Sequence, residues 1–412
     1  MEMVLEFLRD VLSQPALLIG IMSCIGLIAL KRPFHKIMTG TLKPILGYLM
    51  LAAGAGVIVS NLDPLGKMIE HGFHITGVVP NNEAIVAVAQ KVLGVETMSI
   101  LVVGLLMNLC IARFTKFKYV FLTGHHSLFM ACLMSAVLGT AGLSGMELIL
   151  VGGFLMGAWS AISPAIGQSY TSKVTDGDEI AIGHFGSLGY YLSAWVAKYV
   201  GKAEDSTEDI EIPEKWGFLR DSTLSTALTM IVFYLIAAFA AGSEFVATLS
   251  GDMSPYLYAV MSAMNFAVGV TIVYSGVRMI LGDLIPAFQG IATKIIPNAI
   301  PAVDCAVFFT YAPTAVVLGF LSSFIGGIIG MLILGAVGGV LIIPGLVPHF
   351  FCGATAGIYG NATGGRRGAA VGAFLNGLAI TFLPALALPV LGQLGFQNTT
   401  FGDADFAVMG LV

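Results

Sequence analysis

The chain has 412 residues, 57% of them hydrophobic and only 10% charged, with a net charge of −5 and a mean hydropathy of +0.91. Soluble domains carry about 25% charged residues, so this chain has too few charges to cover a water-soluble core, and an integral membrane protein is expected. The small net charge, and the lack of a basic stretch interleaved with aromatics, argue against a nucleic-acid partner.

The N-terminus, MEMVLEFLRD, is acidic and amphipathic, and no small-residue cleavage site follows the next apolar run. No removable signal peptide is expected. A helix needs about 20 apolar residues to cross a bilayer. Stretches near 13–30, 41–60, 97–112, 119–138, 146–163, 222–249, 255–280, 303–321, 324–343 and 368–391 approach that length, with room for an eleventh in 344–362. Basic residues follow alternate spans: Lys31, Arg32 and Lys36, then Arg113, Lys116 and Lys118, then Lys173, Lys198 and Lys202, then Arg278. This places the N-terminus outside and those loops in the cytoplasm. The expected fold is an all-α polytopic membrane protein of about ten or eleven transmembrane helices.

Two stretches are neither clean spans nor polar loops. Residues 63–90 contain Pro64 and then Pro80-Asn81-Asn82-Glu83. Residues 285–309 contain Pro286 and then Pro301-Ala302-Val303-Asp304. Proline removes a backbone donor and interrupts a helix. Irregular backbone at membrane depth survives only where protein or a water-filled cavity covers it. Transporters build substrate sites from such broken segments in corresponding places of two repeats. The competing reading is chance similarity, with each acid in interfacial water. The polar stretch 201–222 lies between the two copies. It divides the chain into a first repeat (1–200, broken near 77–92), a cytoplasmic linker (201–222) and a second repeat (223–412, broken near 286–302). Just before the linker, residues 177–201 read as a half-polar helix or a re-entrant segment.

Two histidines follow glycine: His125 in FLTGHHSLFM, and His184 after Gly183 in the half-polar segment. Imidazole can exchange hydrogen bonds with a polyhydroxylated ligand and can pass protons. A satisfied interfacial histidine is the alternative for each. His126 reads as a structural neighbour of His125, and His349 is ambiguous. The five cysteines show no metal-ligand spacing and read as packing residues. No His-x-x-x-His pair or Cys/His cluster is present, so no metal is expected. No phosphate loop, nucleophile elbow or other cofactor motif is found. GNATGGRRGA at 360–369 could meet a phosphate, and a cytoplasmic span end explains it equally well.

LTGHHSLFM, KVTDGDEIAIGH, IPAVDCAVFFTYAPTAVVLGF and LIIPGLVPHFFCGATAGIYGNATGGRRGA resemble the ascorbate-type EIIC permeases of the bacterial phosphotransferase system. LKPILGYLMLAAGAGVI near the N-terminus is similar as well, so the resemblance covers nearly the whole chain. It implies a homodimer in the bacterial inner membrane, a core built from inverted repeats with re-entrant segments, and elevator-like carriage of a sugar or polyol. It further implies a separate EIIB subunit, served in turn by EIIA, that phosphorylates the sugar, and no phosphoacceptor or catalytic nucleophile in this chain.

Carried over by motif, the sugar site includes His125, His184 and Asp304. Where ascorbate members commonly have glutamine, this chain has Phe129 and Phe185. A Ser-Asp-Thr-Tyr-like stretch is replaced by Pro80-Asn81-Asn82-Glu83, which adds Asn82 and Glu83 to the expected site. Aromatic faces stack on sugar C–H groups but cannot bond hydroxyls, and a carboxylate repels the ascorbate anion. Ascorbate and a related sugar or polyol therefore both stay open as substrates. The alternative function is an ion-coupled secondary transporter with Glu83 and Asp304 as proton or sodium sites. A channel is less well supported, since no repeated filter or ring of charges is present.

Overall fold

The computed structural model describes residues 10–11, 14–74, 77–80, 82–210, 222–392 and 399–412. In chain order the first half forms α1 (Pro15–Ala29), α2 (Phe34–Phe73), β1 (Val79–Pro80), α3 (Asn82–Phe114), β2 (Tyr119–Phe121), α4 (Gly124–Thr140), α5 (Gly145–Thr175), β3 (Ala181–Ile182) and α6 (Ser187–Val200). The second half forms α7 (Ser222–Ala241), α8 (Ser243–Ser250), α9 (Pro255–Lys294), β4 (Ile300–Val303), a 3-10 turn (Cys305–Thr310), α10 (Pro313–Ala336), α11 (Leu346–Gly392), β5 (Thr399–Thr400) and α12 (Ala404–Leu411). In each half a 40-residue helix, α2 or α9, leads into a short strand that carries a proline, Pro80 or Pro301.

Six helices among the described residues are long and apolar enough to cross a membrane, and a seventh if α7 and α8, bent by 116°, count as one span. The sequence suggested ten or eleven. The differences have local causes. Residues 303–343 hold one long helix rather than two spans, because the chain leaves β4 into the 3-10 turn and restarts at Pro313, whose missing N–H is harmless at a first helical position. Apolar α1 and α4 are short. Finally, α11 is counted once although it is two helices meeting at a kink, where Gly365 has φ +60°. That kink lies in GNATGGRRGA. Arg366 N–H donates to the Asp205 carbonyl there, so the glycines serve a tight turn between two helices.

The breaks also fall later than the prolines suggested. Pro64 and Pro286 lie inside α2 and α9, which continue to Phe73 and Lys294. A proline within a helix deletes one hydrogen bond and kinks the helix, and neighbouring helices can cover the freed carbonyl. Thus 286–294 is helical, and the irregular backbone runs from 295 to the end of the 3-10 turn. In the first half, residues from Asn82 onward already belong to α3.

Helices α2 and α9 pack against each other along their length. A Cβ on Gly47 would meet the Gly276 carbonyl, and one on Gly54 the Gly269 carbonyl and Val273. Apolar helices in lipid gain little from hydrophobic contact with each other, so such close backbone approach is what holds them. Gly54→Leu is expected to lower the melting temperature in detergent by several degrees, since overpacking costs about 1–3 kcal/mol. An unchanged melting temperature would show that these helices do not meet at Gly54.

Candidate substrate site

Short parallel strands position the site. β2, β4 and β3 form one sheet with β4 in the middle, in register Phe121↔Ala302 and Ile182↔Val303. Because the strands are parallel, their C-terminal ends lie together. His125 follows β2, His184 follows β3, and Asp304 follows β4. The Gly183 N–H donates to the Val303 carbonyl at 2.7 Å. A Cβ at Gly183 would collide with the Ala302 carbonyl, so the glycine before His184 is required by strand contact. A second pair of parallel strands, β1 and β5, delivers Asn82 and Asp403.

His125, His184, Asp304, Asn82 and Asp403 all line one cavity of about 560 Å³. One wall of it is α2, from Tyr48 through Ala55 and Leu62 to Glu70. His125 lies between Tyr48 and Asp304: its Nδ1 is 3.4 Å from the Tyr48 hydroxyl and its Nε2 is 3.5 Å from Asp304 Oδ2. The other Asp304 oxygen accepts the Ala306 N–H at 3.1 Å, which caps the 3-10 turn. The Gly186 N–H donates to His184 Nδ1 at 3.1 Å, and the Tyr190 hydroxyl is 2.8 Å from the same nitrogen. An Nδ1 that accepts leaves the proton of a neutral ring on Nε2.

His126 is buried behind His125, although it too touches the cavity. Its ring lies 3.9 Å from that of His184, stacks on Phe406, and accepts the Phe185 N–H at 3.4 Å. Phe129 lines the cavity, with its ring 5.7 Å from His125. Phe185 does not line it: its ring is fully buried and stacks on Phe121. β3 ends at Ile182 and the chain turns at Phe185–Gly186, closed by the Ser187 N–H donating to the His184 carbonyl, which turns Phe185 away while His184 takes the cavity side. Asn82 lines the cavity, while the side chain of Glu83 lies outside the described residues. His349 is buried, with Nδ1 2.9 Å from the Ser323 hydroxyl.

Sequence reasoning missed the C-terminal acids and Tyr48. Asp403 accepts from Asn82 Nδ2 at 2.5 Å, and the Gly402 N–H returns to Asn82 Oδ1 at 2.9 Å. Asp405, fully buried, accepts from Ser187 Oγ, the Leu188 N–H and Trp159 Nε1 at 2.7, 2.9 and 3.2 Å. Its own N–H donates to the Phe185 carbonyl. Asp405 thereby caps α6 and fixes the loop that carries His184. GDAD at 402–405 is a pair of acids in an apolar chain, the same signal that drew attention to Glu83 and Asp304. It lacks a neighbouring proline pattern or Gly-His to mark it.

Histidines, carboxylates, an amide and a phenol around a cavity suit a polyhydroxylated ligand. The family of sugar-specific permease components of the PTS system (EIIC-GAT) matches residues 10–405. The chain belongs to this family. This EIIC permease is accordingly a multi-pass protein of the bacterial inner membrane. It is also 28% identical, over 417 aligned positions, to the ascorbate-specific PTS system EIIC component of Mycoplasma pneumoniae. That match covers 86% of this chain and 62% of the relative, so the chain spans about three fifths of the relative's length.

In this EIIC, Asp405→Ala is expected to leave three buried donors unpaired, at about 1–3 kcal/mol for each buried group. Lower thermal stability and weaker ligand binding should appear together, and Asp405→Asn should restore part of both. Wild-type melting and binding in Asp405→Ala would show that the His184 loop is held without it.

Proposed function

We propose that this chain is the membrane permease of a phosphoenolpyruvate-dependent phosphotransferase system, carrying L-ascorbate or a related sugar or polyol. The observation that carries the reading is the convergence of His125, His184 and Asp304 on one cavity at the ends of three parallel strands. His125 and His184 offer ring nitrogens to substrate hydroxyls. Asp304 and Asp403 accept from hydroxyls, and Asn82 does both. Phe129 presents an aromatic face to C–H groups. A separate EIIB, recharged through EIIA, supplies the phosphoryl group on the cytoplasmic side. The protein works as a homodimer, each half of the chain being one inverted repeat joined through the 201–222 linker, and the core moves like an elevator. The ion-coupled alternative is not favoured, since the family match is to phosphotransferase permeases.

The cavity faces outward on this reading. α2 starts at Phe34, beside the basic group Lys31, Arg32 and Lys36, which marks the cytoplasmic end. The cavity follows α2 away from that end to Asp63, Lys67 and Glu70, where Asp63 and Lys67 are exposed. In the other direction β2 starts next to Lys118, in the basic group taken to mark the cytoplasm, and runs to the site, which puts the sheet β2–β4–β3 on its cytoplasmic side.

Binding of a panel of unphosphorylated sugars and polyols, L-ascorbate included, tests the reading. His125→Ala should weaken the bound sugar by about ten- to 150-fold, the loss of one buried partner, and His126→Ala by much less. Equal small effects would make the pair structural only. Purified protein should bind the sugar without phosphorylating it, and sugar phosphate formed without EIIB would overturn the division of labour. Phe129→Gln should shift preference toward ascorbate. Phe185→Gln, which places an amide among Phe121 and Phe406, should instead lower stability, and a specificity change from Phe185→Gln alone would return that residue to the pocket.

A further inference from the structure

Two cysteines that read as packing residues in the sequence meet the site in the fold. Cys305 follows Asp304 at the end of β4 and lines the cavity. Cys352, on α11, is fully buried, and its Sγ lies 2.7 Å from Asp403 Oδ1. Ligand atoms of His184, Asp304 and Cys305 lie within 4.8 Å of one another, and so do those of His184, Cys352 and Asp403. The two triads share His184, so two overlapping three-ligand sets, one with Cys305 and one with Cys352, meet at one imidazole. All five residues are buried, and they come from four separated stretches of chain. No local spacing motif could have announced them.

From this we infer that the inner end of the cavity is a binding site for a thiophilic divalent cation such as Zn²⁺ or Cd²⁺. Thiolate and imidazole donors select such ions over Mg²⁺ or Ca²⁺, which take oxygen ligands in larger numbers. Tetrahedral donors around Zn²⁺ at about 2.0–2.3 Å sit about 3.3–3.8 Å apart. The present separations therefore close by side-chain rotation of roughly 1 Å. Each thiol that coordinates releases one proton, and the carboxylates balance the remaining charge. His184, Asp304, Cys305 and Asp403 all face the cavity, which supplies the path for the ion. The bound ion ties up His184, the ligand both triads share, so it competes with the sugar. That competition rests on the proposed sugar site, whereas the coordination does not.

The test uses purified full-length protein in detergent and cadmium chloride as the probe. Equilibrium dialysis gives the stoichiometry, and the thiolate-to-cadmium ultraviolet band reports sulfur ligation without any sugar present. One ion per chain is expected, with a thiolate band that excess Mg²⁺ does not remove. The Cys305→Ser/Cys352→Ser double variant should lose the band, and the single variant that weakens it at least tenfold identifies the triad that holds the ion. Cys110→Ser, at an exposed cysteine elsewhere, should change nothing. Serine is close in size to cysteine, and melting temperatures of the variants check that they fold. No band, or a band unchanged in the Cys305→Ser/Cys352→Ser double variant, overturns the site. Cadmium that binds as expected yet leaves binding of radiolabelled L-ascorbate or polyol untouched would overturn the competition and count against the sugar site, while the cation site would stand.

Discussion

Backbone hydrogen bonding at membrane depth is the constraint on which the rest of this structure depends. Non-helical segments there have no water to satisfy their N–H and C=O groups, and each unpaired group costs several kcal/mol. The protein pairs them with one another. Among the described residues every ladder joins the two halves of the chain: β1 with β5, β2 and β3 with β4, and Val78 with Ile342. Parallel pairing rules out a tight hairpin between partners, so the partners must come from distant stretches. Neither half can satisfy its own breaks. The site thus forms only when both halves are in place, and its residues inherit the fixed register of the strands that carry them.

The same geometry sets the electrostatics. Asn82 begins α3, Gly124 begins α4, Cys305 begins the 3-10 turn, and Asp403 precedes α12. Helix starts present free N–H groups and partial positive charge. The carboxylates answer some of them: Asp304 caps the 3-10 turn and Asp405 caps α6. Asp403 and Asp405 have partners on both oxygens, whereas Asp304 has one on a single oxygen and keeps the other toward His125. Among the described residues that line the cavity, Lys67 is the one lysine or arginine, and it lies at the far end, 3.6 Å from Asp63. Beside the histidines, charge is balanced by hydrogen bonds rather than by a fixed cation.

Legibility in the sequence followed from whether a residue's role is written locally. Pro80 and Pro301 stood out because proline has a strong backbone effect wherever it occurs, and both lie in strands that place a site residue. His125 and His184 stood out because glycine precedes each. Pro64 and Pro286 misled, since a proline kinks a helix without having to end it and only tertiary cover decides which. Phe185 misled because sequence adjacency to His184 does not fix facing. Asp403, Asp405 and Tyr48 were not legible, since their partners lie far away in sequence: Asp403 is bonded to Asn82, Asp405 to Ser187, and Tyr48 meets His125.

An uncharged sugar leaving such a site as its phosphate cannot easily come back. On the proposed reading, phosphorylation adds about 1.5–2 negative charges at neutral pH. The returning ligand would face Asp304 and Asp403, both buried, in surroundings less polarizable than water, where like charges repel more strongly. Among the described residues lining the cavity, no lysine or arginine lies beside His125 and His184 to offset that repulsion. On that reading the carboxylates that would accept hydroxyl donors on the way in would oppose the product on the way out. For ascorbate, already a monoanion, the same carboxylates would weaken uptake itself. That makes the protonation of His125, held between Tyr48 and Asp304, the point at which ascorbate and a neutral polyol part company. A protonated ring would pair with the anion and neutralise Asp304. A neutral ring would leave a site suited to hydroxyls alone.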